Sequence, residues 1–155
     1  MSTATKDTRT LTGRCMCGEV EYEVRDFPAG KSIDGTICHC KTCRKMNTML
    51  SYNVRGERKN LHVTKGEPKS WTDTTALSGK TIKRMFCPTC GSALYSCPES
   101  APEVVFLKAG ALDQIDEVVP RAEIFVEELI HGTTAENPKR KTILFEGMMK
   151  KKLDT

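Results

Sequence analysis

The segment Cys38-His39-Cys40-Lys41-Thr42-Cys43 packs three cysteines into six residues around a histidine, and Arg44-Lys45 follows at once. Ionised thiols this close repel one another, so the spacing calls for a bound cation or for oxidation. The other cysteines help decide between them. Cys15-Met16-Cys17 and Cys87-Pro88-Thr89-Cys90 make two pairs, and Cys97 stands apart. Zinc takes four tetrahedral ligands in structural sites and three plus an exchangeable position in catalytic ones. Seven grouped cysteines divide naturally as four and three. Cys15, Cys17, Cys87 and Cys90 complete a closed structural site, while Cys38, Cys40 and Cys43 form a second, open one. This reading predicts two zinc ions per chain.

Three other arrangements use the same residues. Two closed sites would need Cys97 or His39 as the eighth ligand, and the His39 ring, set between two ligands of one loop, should point away. A disulfide framework belongs to an oxidising compartment. An iron–sulfur cluster wants a fourth thiolate near the triplet.

Composition narrows the setting. With 155 residues, 38% hydrophobic and 28% charged, the chain suits one domain with a modest core. The net charge of +4 is small and the lysines are scattered, so nucleic acid is not an expected partner. Only Lys150-Lys151-Lys152 forms a basic cluster. No run approaches the roughly 20 apolar residues of a membrane span. The first ten residues lack the apolar core of a secretory signal. The expected location is the cytoplasm, where disulfides are disfavoured and eight cysteines call for metal.

Short strands dominate the pattern. Residues 19–25 alternate, with Val20, Tyr22 and Val24 on one face and glutamates on the other. Phe27-Pro28-Ala29-Gly30 ends that strand, and Ile33-Asp34-Gly35 reads as a turn. Further strands are expected over residues 49–55, 61–64 and 69–72. Residues 81–87 deliver Cys87 to a Pro88-Thr89 bend, and 92–96 return antiparallel as in a zinc ribbon. Residues 104–107 and 121–126 follow, and Ile143-Leu144-Phe145 is expected to pack a final turn or short helix on the body. Trp71 and Tyr22 read as core, and His62 and His131 as structural. The expected division is a flexible stretch 1–10, a zinc-binding domain 11–130 and a polar extension 131–155.

Gly13-Arg14-Cys15-Met16-Cys17-Gly18-Glu19-Val20-Glu21-Tyr22 resembles the opening motif of the glutathione-dependent formaldehyde-activating enzyme family, which includes centromere protein V. Cys38 to Lys45 is similar to its second motif. Ser78-Gly79-Lys80 with Arg84-Met85-Phe86-Cys87-Pro88-Thr89-Cys90-Gly91-Ser92-Ala93-Leu94 resembles the third, and residues 107–113 and 120–126 look like its closing strands. The resemblance spans residues 13–126. It implies a mainly β, tent-like fold of short antiparallel sheets with zinc-ribbon character, and the same four-plus-three ligand division. It also implies a carbon–sulfur lyase acting on a small-molecule thiol or thiol adduct, of the formaldehyde and glutathione type. The chain departs from the family pattern at Met46-Asn47-Thr48-Met49-Leu50, which lacks the usual glycine, and at Glu127-Glu128-Leu129, where a tryptophan is usual. The first departure predicts a narrower or more apolar pocket beside the open metal.

Three thiolates leave a zinc centre net negative and weaken its Lewis acidity, which favours activating a sulfur nucleophile over splitting water. Arg44 and Lys45 suit a substrate carboxylate, the alternative reading being a solvated pair at the end of a turn. No residue declares itself the general acid or base. The competing reading is a non-catalytic zinc-stabilised binding module like centromere protein V, its basic tail meeting an acidic partner. Either reading allows a homo-oligomer.

Overall fold

The computed structural model describes residues 7–30, 32–130, 143–148 and 151–153. Alternating and β-branched segments form strands β1 (Thr8–Arg14), β2 (Glu21–Pro28), β3 (Ile33–Cys38), β4 (Ser51–Glu57), β5 (Leu61–Lys65), β6 (Lys69–Asp73) and β7 (Ile82–Phe86). They continue through β8 (Ala93–Pro98), β9 (Val104–Lys108), β10 (Val118–Ile124), β11 (Ile143–Glu146) and β12 (Lys151–Leu153). A six-residue helix, α1 (Lys41–Met46), interrupts them. The fold is mainly β, as expected.

The strands make two sheets. The smaller has the order β1-β2-β5, and the larger runs β12-β11-β10-β3-β4-β9-β8-β7-β6. All pairs are antiparallel except β10 with β3 and β10 with β11, which make the larger sheet mixed. Register sorts the large sheet's side chains. Tyr52 and Val54 of β4, Val105 and Leu107 of β9 and Tyr95 of β8 share the face that builds the core. The opposite face carries Cys38, Ser51, Asn53, Lys108, Ser96 and Arg84. A strand's period of two thus separates packing from chemistry.

Val20, Tyr22 and Val24 are buried, so the alternation read from residues 19–25 gives the inner face of the small sheet. The Tyr22 ring meets Tyr95 edge to face, centroids 5.5 Å apart at 70°, and joins the two sheets. Gly13 makes room for it, since a β-carbon there would lie 2.4 Å from the Tyr22 ring.

Several local expectations change. Residues 8–10 already belong to β1, three residues before the expected domain start at Leu11. Ile33-Asp34-Gly35 is strand rather than turn, because β3 is held between β4 and the distant β10. Residues 41–46 are helical. Residues 107–113 are not one strand: β9 stops at Lys108 and Ala109–Ala111 forms a 3-10 turn. Ile143-Leu144-Phe145 is a strand parallel to β10, not a helix or turn. Trp71 is 46% exposed on the edge strand β6 and is not core. His131, Lys150 and residues 1–6 lie outside the described residues. Among the described residues no helix is long and apolar enough to cross a membrane.

Candidate metal centres

Two matching turns build the four-cysteine group. Cys15 and Cys17 lie between β1 and β2, and Cys87 and Cys90 lie between β7 and β8. Each pair is followed by a glycine with positive φ, Gly18 at 75° and Gly91 at 74°, a left-handed bend that costs glycine little. The amides close the turns, with Gly18 donating to the Cys15 carbonyl at 3.2 Å and Gly91 to the Cys87 carbonyl at 2.9 Å. The Val20 amide donates to the Cys15 sulfur at 3.2 Å. Hydrogen bonds from the Ser92 hydroxyl and amide push the Cys90 thiol down to about 5.

The four ligand atoms all lie within 4.8 Å of one another, with Cys15 to Cys17 at 3.5 Å and Cys17 to Cys87 at 3.7 Å. Zinc–sulfur bonds of about 2.3 Å in a tetrahedron separate sulfurs by roughly 3.8 Å. The donor set therefore fits zinc, and the turns are already shaped to present it.

The second group is local in sequence but depends on tertiary neighbours. Cys38 ends β3, Cys40 caps α1 and Cys43 lies in its first turn. The three sulfurs also lie within 4.8 Å of one another. The Cys40 sulfur accepts the Cys43 amide at 3.4 Å. Hydrogen bonds from Cys38 and Cys43 hold the Cys40 thiol down at about 2. Cys38 is pushed up, first by its bond to Cys40, then by Cys43 and by burial. One thiolate forms readily here and the next does not, so full ionisation of the group requires a cation.

Neither candidate for a further ligand joins this group. His39 is buried and turns away, its Nε2 2.8 Å from Glu123 Oε2, while its amide donates to the Ile124 carbonyl at 3.1 Å. Cys97 is buried on β8 with the main core cluster. Among the described residues the second centre has three protein sulfurs and no fourth.

Arg44 Nη1 donates to the Glu128 carbonyl at 3.0 Å, and the Lys41 amide donates to the Glu128 carboxylate at 2.7 Å. These bonds clamp α1 beside β10, and Lys45 is exposed. Met46 and Met49 turn outward, 39% and 48% exposed. Of the Met46 to Leu50 stretch, Asn47 and Leu50 are the residues that line the neighbouring cleft.

A cleft of about 650 Å³ runs from the four-cysteine turn to the chemical face of the large sheet. Cys15, Cys17, Asn47, Leu50, Ser51 and Lys108 are among its walls. It reaches the second centre through neighbours rather than through the sulfurs themselves. Ser51 pairs with Cys38 across the sheet, and Asn47 Nδ2 donates to the Cys43 carbonyl at 3.1 Å.

Lys108 is the functional candidate that strand-by-strand reading passes over. Its Nζ donates to Ser51 Oγ and Asn53 Oδ1, both at 2.8 Å. Burial pushes its pKa down to about 8, the Cys43 thiolate partly opposing and the Arg84 charge reinforcing that shift. Arg84 itself is neutralised by buried Asp73, through Nε at 2.8 Å and Nη2 at 2.7 Å. Asp73 Oδ1 accepts the Thr75 amide and hydroxyl, and the Thr75 hydroxyl meets that of Thr42 on α1 at 3.2 Å. Only the Phe106 and Lys108 alternation in β9 hinted at this face, and it had no meaning before β4 was known to lie alongside.

The chain is similar to known proteins in sequence and in fold. The family described as glutathione-dependent formaldehyde-activating enzyme matches residues 10–128. A Halomonas elongata protein bearing that family's name is 31% identical over 110 residues, 66% of this chain and 66% of its own length, just under two thirds. A solved Rhodobacter sphaeroides structure superposes with a TM-score of 0.53 at 27% identity, covering 66% of this chain and 87% of that one. With its cysteine turns and mainly β architecture, the chain belongs to the glutathione-dependent formaldehyde-activating enzyme family.

Proposed function

We propose that the protein is a cytoplasmic carbon–sulfur lyase that makes or breaks a bond between a small thiol and an aldehyde carbon, as in the adduct of glutathione with formaldehyde. The observation that carries this reading is the three-sulfur centre, which lacks a fourth protein ligand among the described residues and adjoins a ligand-sized cleft. Zinc held by Cys38, Cys40 and Cys43 would favour the thiolate form of an incoming thiol and polarise the carbon–sulfur bond.

The chain's own residues prepare that site. The His39–Glu123 pair pins the loop between Cys38 and Cys40 and keeps the imidazole out of the open position. The Arg44 bond to the 126–128 turn holds α1, and with it Cys43, against the sheet. Lys45 and the remaining Arg44 donors add positive charge at the helix end, suited to an acidic thiol. A second zinc at Cys15, Cys17, Cys87 and Cys90 is structural.

Exchange spectroscopy with ¹³C-formaldehyde and glutathione tests the proposal. The protein should accelerate exchange between free aldehyde and adduct, and Cys40→Ala should abolish the acceleration while the fold survives. Equal exchange with and without protein, for glutathione and for simpler thiols, would refute it.

A further inference from the structure

The charges lining the cleft are unequal in their partners. Arg14 is paired with Asp113 at 3.2 Å, and Thr12 Oγ1 donates to the same carboxylate at 2.7 Å. Lys108 has no such partner. Its ammonium is steered by two neutral acceptors, Ser51 Oγ and Asn53 Oδ1, and these take two of its three protons. Among the described residues no carboxylate meets it, and its neighbour Arg84 is already paired with Asp73. On the same sheet face buried Ser96 Oγ also lacks a protein partner. A buried cation is costly without an anion nearby. The three sulfurs supply part of that anion, but a divalent cation among them would cancel two of their three charges.

We propose that Lys108 is the anion-recognising residue of the cleft, its ammonium taking the carboxylate of an acidic small-molecule thiol whose sulfur enters the three-cysteine centre. The assignment rests on the thiol chemistry proposed above. Ser51 and Asn53 hold the ammonium in place, and the pairing of Cys38 with Ser51 and of Asn53 with Lys108 fixes its offset from the sulfurs. An acidic thiol is thereby preferred over a neutral one of equal length. Lys108 acts as a specificity residue and takes no proton in the reaction.

Isothermal titration of metal-loaded protein with 3-mercaptopropionate and its uncharged amide tests this. At neutral pH the acid should bind about tenfold or more tightly than the amide. Lys108→Met should bring that ratio to about one while amide binding stays within about twofold. Asn53→Asp, which sets a competing carboxylate beside Nζ, should lower the ratio even if the methionine variant fails to fold. A native ratio near one, or a ratio unchanged in both variants, overturns the assignment and leaves the open centre standing. Equal weakening of both thiols also overturns it, because Lys108 would then only offset thiolate charge. Failure of both thiols to bind the native protein overturns the open centre and this assignment together.

Discussion

Losing one cysteine from each centre should have very different consequences. Cys17 and Cys87 are 70 residues apart, so the four-sulfur site ties two turns across a long loop. Treated as a cross-link, closing that loop is worth about 4 kcal/mol in chain entropy. Zinc binding in small domains is worth more, with apparent values of about 10–16 kcal/mol. Net stability for a domain is about 5–15 kcal/mol, so losing this site removes most or all of it. Cys87 is also fully buried against the main core. Cys87→Ala should therefore abolish cooperative unfolding or yield aggregate. The second group spans only residues 38 to 43, already held by β3 pairing and α1, and its tie is worth about 2 kcal/mol on the same scale. Cys40→Ala should keep a cooperative melt, with zinc falling from about two per chain to about one. Elemental analysis of the gel-filtered protein, with circular dichroism melting, reads both effects. A Cys40→Ala protein that loses both metals and unfolds would falsify the division, as would a Cys87→Ala protein that melts like the native one.

Three further outcomes follow from specific contacts. The preference for an acidic thiol should fade as pH rises, because Lys108, lowered chiefly by burial, is charged only on the acid side of its midpoint; a preference unchanged at pH 10 would contradict this. Among the groups acting on Lys108, the Cys43, Cys38 and Cys40 thiolates hold that midpoint up and Arg84 holds it down, so Arg84→Met should move it upward. Asp73→Ala strands the buried Arg84 guanidinium and should cost about 3–5 kcal/mol in denaturant unfolding. Gly66→Ala should destabilise by at least about 1–3 kcal/mol, since φ is +68° and the new β-carbon would lie 2.0 Å from the Glu19 carbonyl oxygen; a neutral effect would mean the turn is not as described.

The cysteine groups were legible because their signal is local. Cysteines two or three residues apart followed by glycine specify a turn that presents sulfurs, whatever the rest of the chain does. Likewise the alternation through Val20, Tyr22 and Val24 marks a buried face without knowing what covers it. Ile33-Asp34-Gly35 shows the opposite case. Its glycine and aspartate suit a turn, yet β4 and β10 hold it extended, and the β-carbon that Gly35 lacks would collide with Tyr52 and Val118. Trp71 failed for a related reason: an aromatic residue reads as core until its strand proves to be the sheet's edge.

By itself, then, the sequence determined the strand-rich composition and the four-plus-three grouping of cysteines. The tertiary structure alone decided which polar residues face that group. Lys108, Ser51 and Asn53 converge only because β9 lies against β4 and β4 against β3, and Glu123 meets His39 only because β10 runs parallel to β3. A strand's pattern tells which residues share its face, but the neighbours across that face depend on strand order, which is chosen by packing over the whole core.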